Sequence, residues 1–300
     1  MTPEEQGEFI NSLTEQQAEA LLYQWSGWMA RPAQEIPEGD WSYWLILAGR
    51  GFGKTRTGAE TVREWVKTNQ YVNLIGATSD DARDIMVEGE SGILAICPPD
   101  ERPVYKKHES KLEWPNGALS LIFTADKPDR LRGKQHCKLW ADEIAAWRYM
   151  DAWDQAKFGL RLGDKPQAVI TTTPRPLKLL KDIIEDDQSV VTRGSTYDNK
   201  ANLAKPFFNS IITRYEGTRI GRQELNAELL DDVQGALWSR KSIDDHRKSP
   251  NALPDMERVV VSVDPSVTNH EGSDETGIIC AGKGVDGEVY VWNDSSGRRS

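Results

Sequence analysis

Seven consecutive residues, Gly49-Arg50-Gly51-Phe52-Gly53-Lys54-Thr55, bring three glycines, a lysine and a hydroxyl together in one short stretch. Glycines let a backbone curl until successive N–H groups converge on phosphate oxygens. A lysine and a threonine directly behind them can reach the β- and γ-phosphates and hold Mg2+ through the hydroxyl. The apolar run Trp44-Leu45-Ile46-Leu47-Ala48 precedes the glycines, and a helical pattern over 54–67 follows. In a strand–loop–helix setting the helix N-terminus adds positive potential to the amides. The strict pattern is broken only at its first position, where Ala48 stands in place of a leading glycine. A second apolar strand, Lys138-Leu139-Trp140-Ala141, ends in Asp142-Glu143. Phosphoryl transfer to water uses one carboxylate in the Mg2+ shell and another to polarise the water. Asp142 is assigned the first role and Glu143 the second, and having both acids points to hydrolysis of ATP rather than binding alone.

A third strand ends in Thr171-Thr172-Thr173-Pro174. Hydroxyls at a strand tip can sense a γ-phosphate, although β-branched residues are also ordinary strand formers before a turn. Guanidinium groups suit the charge that develops in the transition state. Arg50, inside the phosphate loop, is the candidate acting in cis. Arg132, in Arg130-Leu131-Arg132-Gly133, is the candidate acting in trans on a neighbouring subunit's ATP, and a solvated surface role is the alternative for each.

The elements that must position these groups alternate. Residues 1–30 have helical spacing, 31–40 form a Pro-rich break, and 71–77 form a second strand. Residues 79–96 predict a helix capped by Ser79. Residues 111–114 and 118–124 predict a hairpin turning at Asn116-Gly117. Strands at 138–141 and 168–172 and helices at 176–186, 206–216 and 219–230 complete an α/β fold. Its sheet is expected to be mostly parallel, with helices on both faces. After about residue 235 the pattern changes to three strand-like runs, 258–263, 277–281 and 288–292, with a turn at Asp286-Gly287. The division expected is a P-loop ATPase domain over 1–235, a linker over 236–256, and the start of a second domain over 257–300. That last part is too short for a core of its own.

Composition narrows the classes. No run of about 18 apolar residues occurs, so no spanning helix is expected. The acidic start, Met1-Thr2-Pro3-Glu4-Glu5, lacks the order of a signal peptide. Cys97, Cys137 and Cys280 have neither pairing nor metal spacing, which suits a reducing cytoplasm. The net charge of −10 is unlike a protein that coats DNA, although local patches rather than the sum set the field at a groove.

Taken in order, these segments resemble the large terminase subunit of tailed bacteriophages. The resemblance is carried by Trp28-Met29-Ala30-Arg31-Pro32-Ala33-Gln34, the phosphate loop continued through Arg56-Thr57-Gly58-Ala59-Glu60, and Pro128-Asp129-Arg130-Leu131-Arg132-Gly133. It continues through Asp142-Glu143, Thr171-Thr172-Thr173-Pro174-Arg175-Pro176, Gln223-Glu224-Leu225 and Gly235-Ala236-Leu237-Trp238. It implies an ATPase that drives double-stranded DNA into a procapsid through the portal, assembled as a homo-oligomeric ring. It also implies a small terminase subunit as partner, the host-cell cytoplasm as location, and no membrane. Within it, Gln34, with Gln24 as runner-up, would contact adenine, and Thr171–Thr173 would couple hydrolysis to movement. Val263-Asp264-Pro265-Ser266 resembles the opening of the family's RNase H-like nuclease, whose carboxylates hold two divalent ions, Mg2+ or Mn2+. Asp264 matches the first carboxylate. Asp274 and Asp294 read as turn residues, and the family's further carboxylates fall beyond Ser300. The expectation is a chain with a complete ATP site and an incomplete nuclease. Two other readings stand beside it: a nucleic-acid helicase or remodelling ATPase, and an inactive truncated prophage remnant that binds ATP or assembly partners.

Overall fold

Continuous apolar runs become strands buried on both faces. The computed structural model describes residues 9, 11–230, 240–249, 252–265 and 276–297, and the chain divides into two units, Met1–Leu230 and Asp231–Ser300. The first unit holds β1 (Tyr43–Ala48), β2 (Val72–Gly76), β3 (Val104–Lys106), β4 (Lys111–Glu113), β5 (Leu119–Thr124), β6 (Lys138–Asp142), β7 (Gln167–Thr172) and β8 (Ser189–Gly194). Their order in one sheet is β3-β4-β5-β2-β6-β7-β1-β8. From β5 to β8 every pairing is parallel, while β3 and β4 are added antiparallel at one edge.

Side chains alternate across this sheet. Trp44 and Ile46 fall in one core cluster with Val62, Trp65 and Trp140. Leu45 and Leu47 fall in the other with Leu139, Trp153 and Leu180. Covering both faces explains why the strands read as unbroken apolar runs rather than as alternation. Helix α1 (Glu15–Leu21) is closed by a Thr14–Gln17 capping box and buries none of its residues. Helix α2 (Lys54–Trp65) covers the first face; α3 (Asp151–Gly159) and α4 (Lys178–Glu185) cover the second. Helices α5 (Lys205–Tyr215) and α6 (Arg219–Glu224) follow β8. The α/β class with a mostly parallel sheet and helices on both faces is the one the sequence predicts.

Some elements differ from expectation. Residues 79–96 are not one helix but two short pieces, Asp81–Val87 and Ile93–Ile96. Met86, Val87, Ile93 and Ile96 are all buried, so the apolar spacing serves two turns as well as one helix. The hydroxyl that accepts from the Asp81 amide is that of Thr78, at 3.1 Å, rather than Ser79. The helix expected to reach residue 230 ends at Glu224. Strands β3 and β8 and helix α3 were not anticipated. Both strands are partly exposed edges, where no continuous apolar run is required.

The second unit contains α7 (Arg240–Asp245) and an antiparallel sheet of β9 (Met256–Asp264), β10 (Gly277–Gly284) and β11 (Val289–Asp294), in the order β11-β10-β9. The Gly235–Trp238 motif, Ser266, Asp274 and parts of the 236–256 span lie outside the described residues. Among the described residues no helix is long and apolar enough to cross a membrane.

Gly58 decides how closely α2 approaches β6. A Cβ built there would lie 2.2 Å from the Trp140 ring. Alanine favours a helix interior by about 1 kcal/mol over glycine, but overpacking a buried contact costs about 1–3 kcal/mol. The steric term wins: Gly58→Ala is expected to lower unfolding stability in urea melts, and an unchanged or raised midpoint would contradict this packing.

Candidate functional site

The parallel register brings the chemistry to one edge. Leu47 pairs with Thr172 and Asp142 with Thr171, so the phosphate loop, the acid pair and the threonines leave adjacent strands at their C-terminal ends. Open α/β sheets bind ligands at that edge. The loop turns through Gly51 (φ 72°) and Gly53 (φ 99°), left-handed conformations that suit glycine. Its carbonyls are held from outside the curl. The Asn199 amide donates to Gly51 O at 2.6 Å, the Thr196 hydroxyl to Arg50 O at 2.7 Å, and the Arg31 guanidinium to Phe52 O. The Gln34 amide donates to the Thr57 hydroxyl at 2.9 Å and lies 3.5 Å from Gly53 O. The N–H groups of the first turn of α2 need partners from outside the helix.

Lys54, only 8% exposed, has its Nζ 3.0 Å from Ala48 O, 3.3 Å from Gly49 O and 3.0 Å from the Thr173 hydroxyl. Glu143 Oε1 lies 3.4 Å away. The other Glu143 oxygen accepts from the Thr173 amide at 3.1 Å. Glu143 has φ 46°, a left-handed conformation that costs a non-glycine residue roughly 1–3 kcal/mol. The distorted backbone holds its carboxylate at the ammonium group.

Asp142 is 4% exposed and accepts from the Thr171 hydroxyl at 2.5 Å, which itself accepts from Trp140 Nε1 at 3.0 Å. Burial first, and the neighbouring Glu143 charge second, push the Asp142 carboxyl up from 3.8 to about 7, against the pull of Thr171 and Lys54. The three threonines therefore face different partners. Thr171 orients Asp142, Thr172 accepts from the Ala145 amide at 3.2 Å, and Thr173 bridges Lys54 and Glu143. Thr171 and Thr172 are fully buried; Thr173 is the one that lines the cleft.

That cleft has a volume of about 1230 Å³. Gln34, Arg50, Gly51, Gly53, Lys54, Thr55, Asp142, Glu143 and Thr173 border it. The Gln34 amide is committed to the loop wall, its Oε1 accepting from the Arg31 amide at 3.2 Å, whereas Gln24 lines a separate cleft. The Thr55 hydroxyl and the Asp142 carboxylate suit a Mg2+ that arrives bound to phosphates and keeps several waters. Arg50 Nε contacts Glu224 at 2.8 Å. Arg132 is 71% exposed, 3.9 Å from Asp129, and is not among the residues lining the cleft. Four bordering residues, Arg31, Arg175, Asn199 and Glu224, received no role from the sequence. Arg31, Arg175 and Glu224 stood inside the quoted motifs, but Asn199 gave no signal.

In the second unit Asp264 ends β9 opposite Gly277. Asp294 accepts from the Ser296 amide at 2.9 Å, a turn contact. No three His, Cys, Asp or Glu side chains converge among the described residues. The described acids therefore do not fit a two-metal nuclease centre.

A family model described as the terminase large subunit, T4-like-virus type, N-terminal part, matches residues 45–245. The fold is similar to the large terminase ATPase domain of Thermus phage P74-26, at 18% identity over 72% of this chain and 98% of that one, with a TM-score of 0.55. A large terminase from another thermophilic bacteriophage, solved with ADP, is similar at 15% identity over 92% of this chain and 67% of that one, TM-score 0.55. The large terminase of bacteriophage HK97 is similar at 16% identity over 84% of this chain, which spans 58% of it, TM-score 0.52. No curated protein sequence matches the chain.

The position of Asp142 has a consequence for stability. The folded carboxyl takes up its proton near pH 7 and the unfolded one near 3.8. Its favourable contribution is therefore complete below 3.8 and lost as pH rises through about 7. Asp142→Asn is expected to be more stable than wild type above neutral pH, by up to about 4 kcal/mol, with the gap closing towards pH about 4. A gap that stays constant with pH would contradict this burial.

Proposed function

Because this chain belongs to the terminase large-subunit family, we propose that it is the ATP-hydrolysing subunit of a phage DNA-packaging motor. The observation that carries this reading is the meeting of Lys54, Asp142, Glu143 and Thr173 at the mouth of a glycine loop. The loop residues Gly49 to Thr55 take the triphosphate, with the α2 amides and Lys54 on the β- and γ-phosphates. Thr55 and Asp142 would hold a Mg2+, which would supply positive charge to the phosphates when bound. Glu143 orients the attacking water and accepts its proton. The hydrogen bonds of Thr173 to Lys54 and Glu143 support a coupling role, since γ-phosphate entering this corner competes for the same ammonium group. Thr171 and Thr172 support that role from behind, by fixing Asp142 and the turn after Glu143.

Gln34 has the resemblance-based role of adenine contact, and its bonds to Gly53 and Thr57 favour a further role in holding the loop. Arg50 is the cis guanidinium. Exposed Arg132 suits a trans role, acting on the ATP of a neighbouring subunit in a ring. Double-stranded DNA is the proposed cargo, with portal, procapsid and small terminase subunit as partners in the host cytoplasm. Residues 1–235 form the motor, 236–256 the linker, and 257–300 a segment of RNase H-like character in which Asp264 matches the first carboxylate.

Phosphate release measured with Glu143→Ala is expected to fall at least about 100-fold, while calorimetry shows that a non-hydrolysable ATP analogue still binds. Lys54→Ala is expected to lose that binding. Equal release rates in wild type and Glu143→Ala would remove Glu143 from the mechanism.

A further inference from the structure

The Thr171 hydroxyl stands between two groups that leave it one orientation. On β6, Trp140 and Asp142 alternate with Ala141 and so share a face of the sheet. Thr171 pairs with Asp142 from the neighbouring strand β7. Trp140 Nε1 lies 3.0 Å from the hydroxyl oxygen. An indole N–H can only donate, so the hydroxyl accepts there and must send its own proton elsewhere. Asp142 Oδ1 is 2.5 Å away and Ala141 O 3.3 Å, so the carboxylate receives it. Trp140 and Thr171 are fully buried, where solvent does not reorient the pair.

The direction of this chain limits what Asp142 offers the cleft. Oδ1 is engaged by Thr171, and among the described residues no hydrogen bond engages Oδ2. Chelation through both oxygens would have to compete with the Thr171 proton, whereas coordination through Oδ2 would not. Mg2+ demands near-octahedral geometry at about 2.0–2.1 Å and is served by single carboxylate oxygens and waters, while the larger Ca2+ readily takes carboxylates bidentate. The Trp140 ring also packs under Gly58. Gly58 and Thr55 lie three residues apart on α2, on one side of the helix. One side chain therefore braces both residues that would hold the cation. We propose that Trp140 and Thr171 are positioning residues that confine Asp142 to one outward oxygen, and that the site thereby prefers Mg2+ to Ca2+. The proposal rests on the ATPase reading and adds cation selectivity to it.

Calorimetry of a non-hydrolysable ATP analogue, with Mg2+ and separately with Ca2+ varied at one pH, tests this. It is run on wild type, Thr171→Val, Thr171→Ser and Trp140→Phe, each first shown to melt cooperatively. Thr171→Val keeps the shape and removes the hydroxyl. It is expected to raise the Mg2+ concentration that supports half-maximal binding about tenfold and to leave the Ca2+ requirement unchanged or lower. Thr171→Ser keeps the hydroxyl and should keep the wild-type preference. Trp140→Phe leaves a ring beneath Gly58 and removes the N–H, so the freed hydroxyl should weaken the preference in the same direction. That variant carries the test should Thr171→Val not fold, and in the Thr171→Val background it should add no further change in preference. Loosened packing, or a carboxyl that charges less readily, would shift both cations alike. Parallel shifts in Mg2+ and Ca2+, or no shift in either, therefore overturn the proposal. Failure of wild type to bind the analogue with either cation would overturn the ATPase reading itself.

Discussion

The ammonium group of Lys54 is buried at the edge of a sheet, and the cleft is arranged around keeping it satisfied. Two carbonyls from the β1–loop junction, the Thr173 hydroxyl and the Glu143 carboxylate share it. A buried cation without such partners costs several kcal/mol. The partners come from three strand ends, so the contact ties the tips of β1, β6 and β7 together. Lys54, Glu143 and Thr173 all line the cleft, so a group entering it meets the same atoms that hold the ammonium group.

Stability is given up at this corner. Glu143 holds a left-handed backbone, and Asp142 is buried with its acidity suppressed. Local rules broken together in one place, inside a scaffold that otherwise obeys them, mark a functional site. The scaffold compensates through packing. Trp140 fills the space that Gly58 leaves under α2 and, through Nε1, fixes the hydroxyl that orients Asp142. One side chain thus connects the helix behind the phosphate loop to the acid strand, so core packing and site geometry are coupled.

Much of the fold was legible in the residue order. The central strands could be read because burial on both faces demands unbroken apolar runs such as Trp44-Leu45-Ile46-Leu47-Ala48. The hairpin could be read because Asn116-Gly117 specifies its turn. The phosphate loop and the Asp142-Glu143 pair were visible because their chemistry requires particular residue types at fixed, local spacing. The spacing over 79–96 suggests one helix where the chain forms two pieces, because buried apolar residues at helical spacing do not say whether the backbone between them is continuous.

Tertiary structure decided everything that depends on distant pairing. Three consecutive threonines look equivalent in a line of sequence. Strand alternation and the neighbours across the sheet turn Thr171 to Asp142, Thr172 to the turn beyond Glu143, and Thr173 to Lys54. The strand order 6-7-1, which sets those neighbours, follows from crossovers that no local pattern encodes. Arg31 and Asn199 meet across 168 positions to brace the loop, and Glu224 reaches Arg50 across 174. Local residue chemistry established what the loop and acids are suited to do. Only the folded chain, by bringing remote segments within hydrogen-bonding distance, determined which side chains hold them in place.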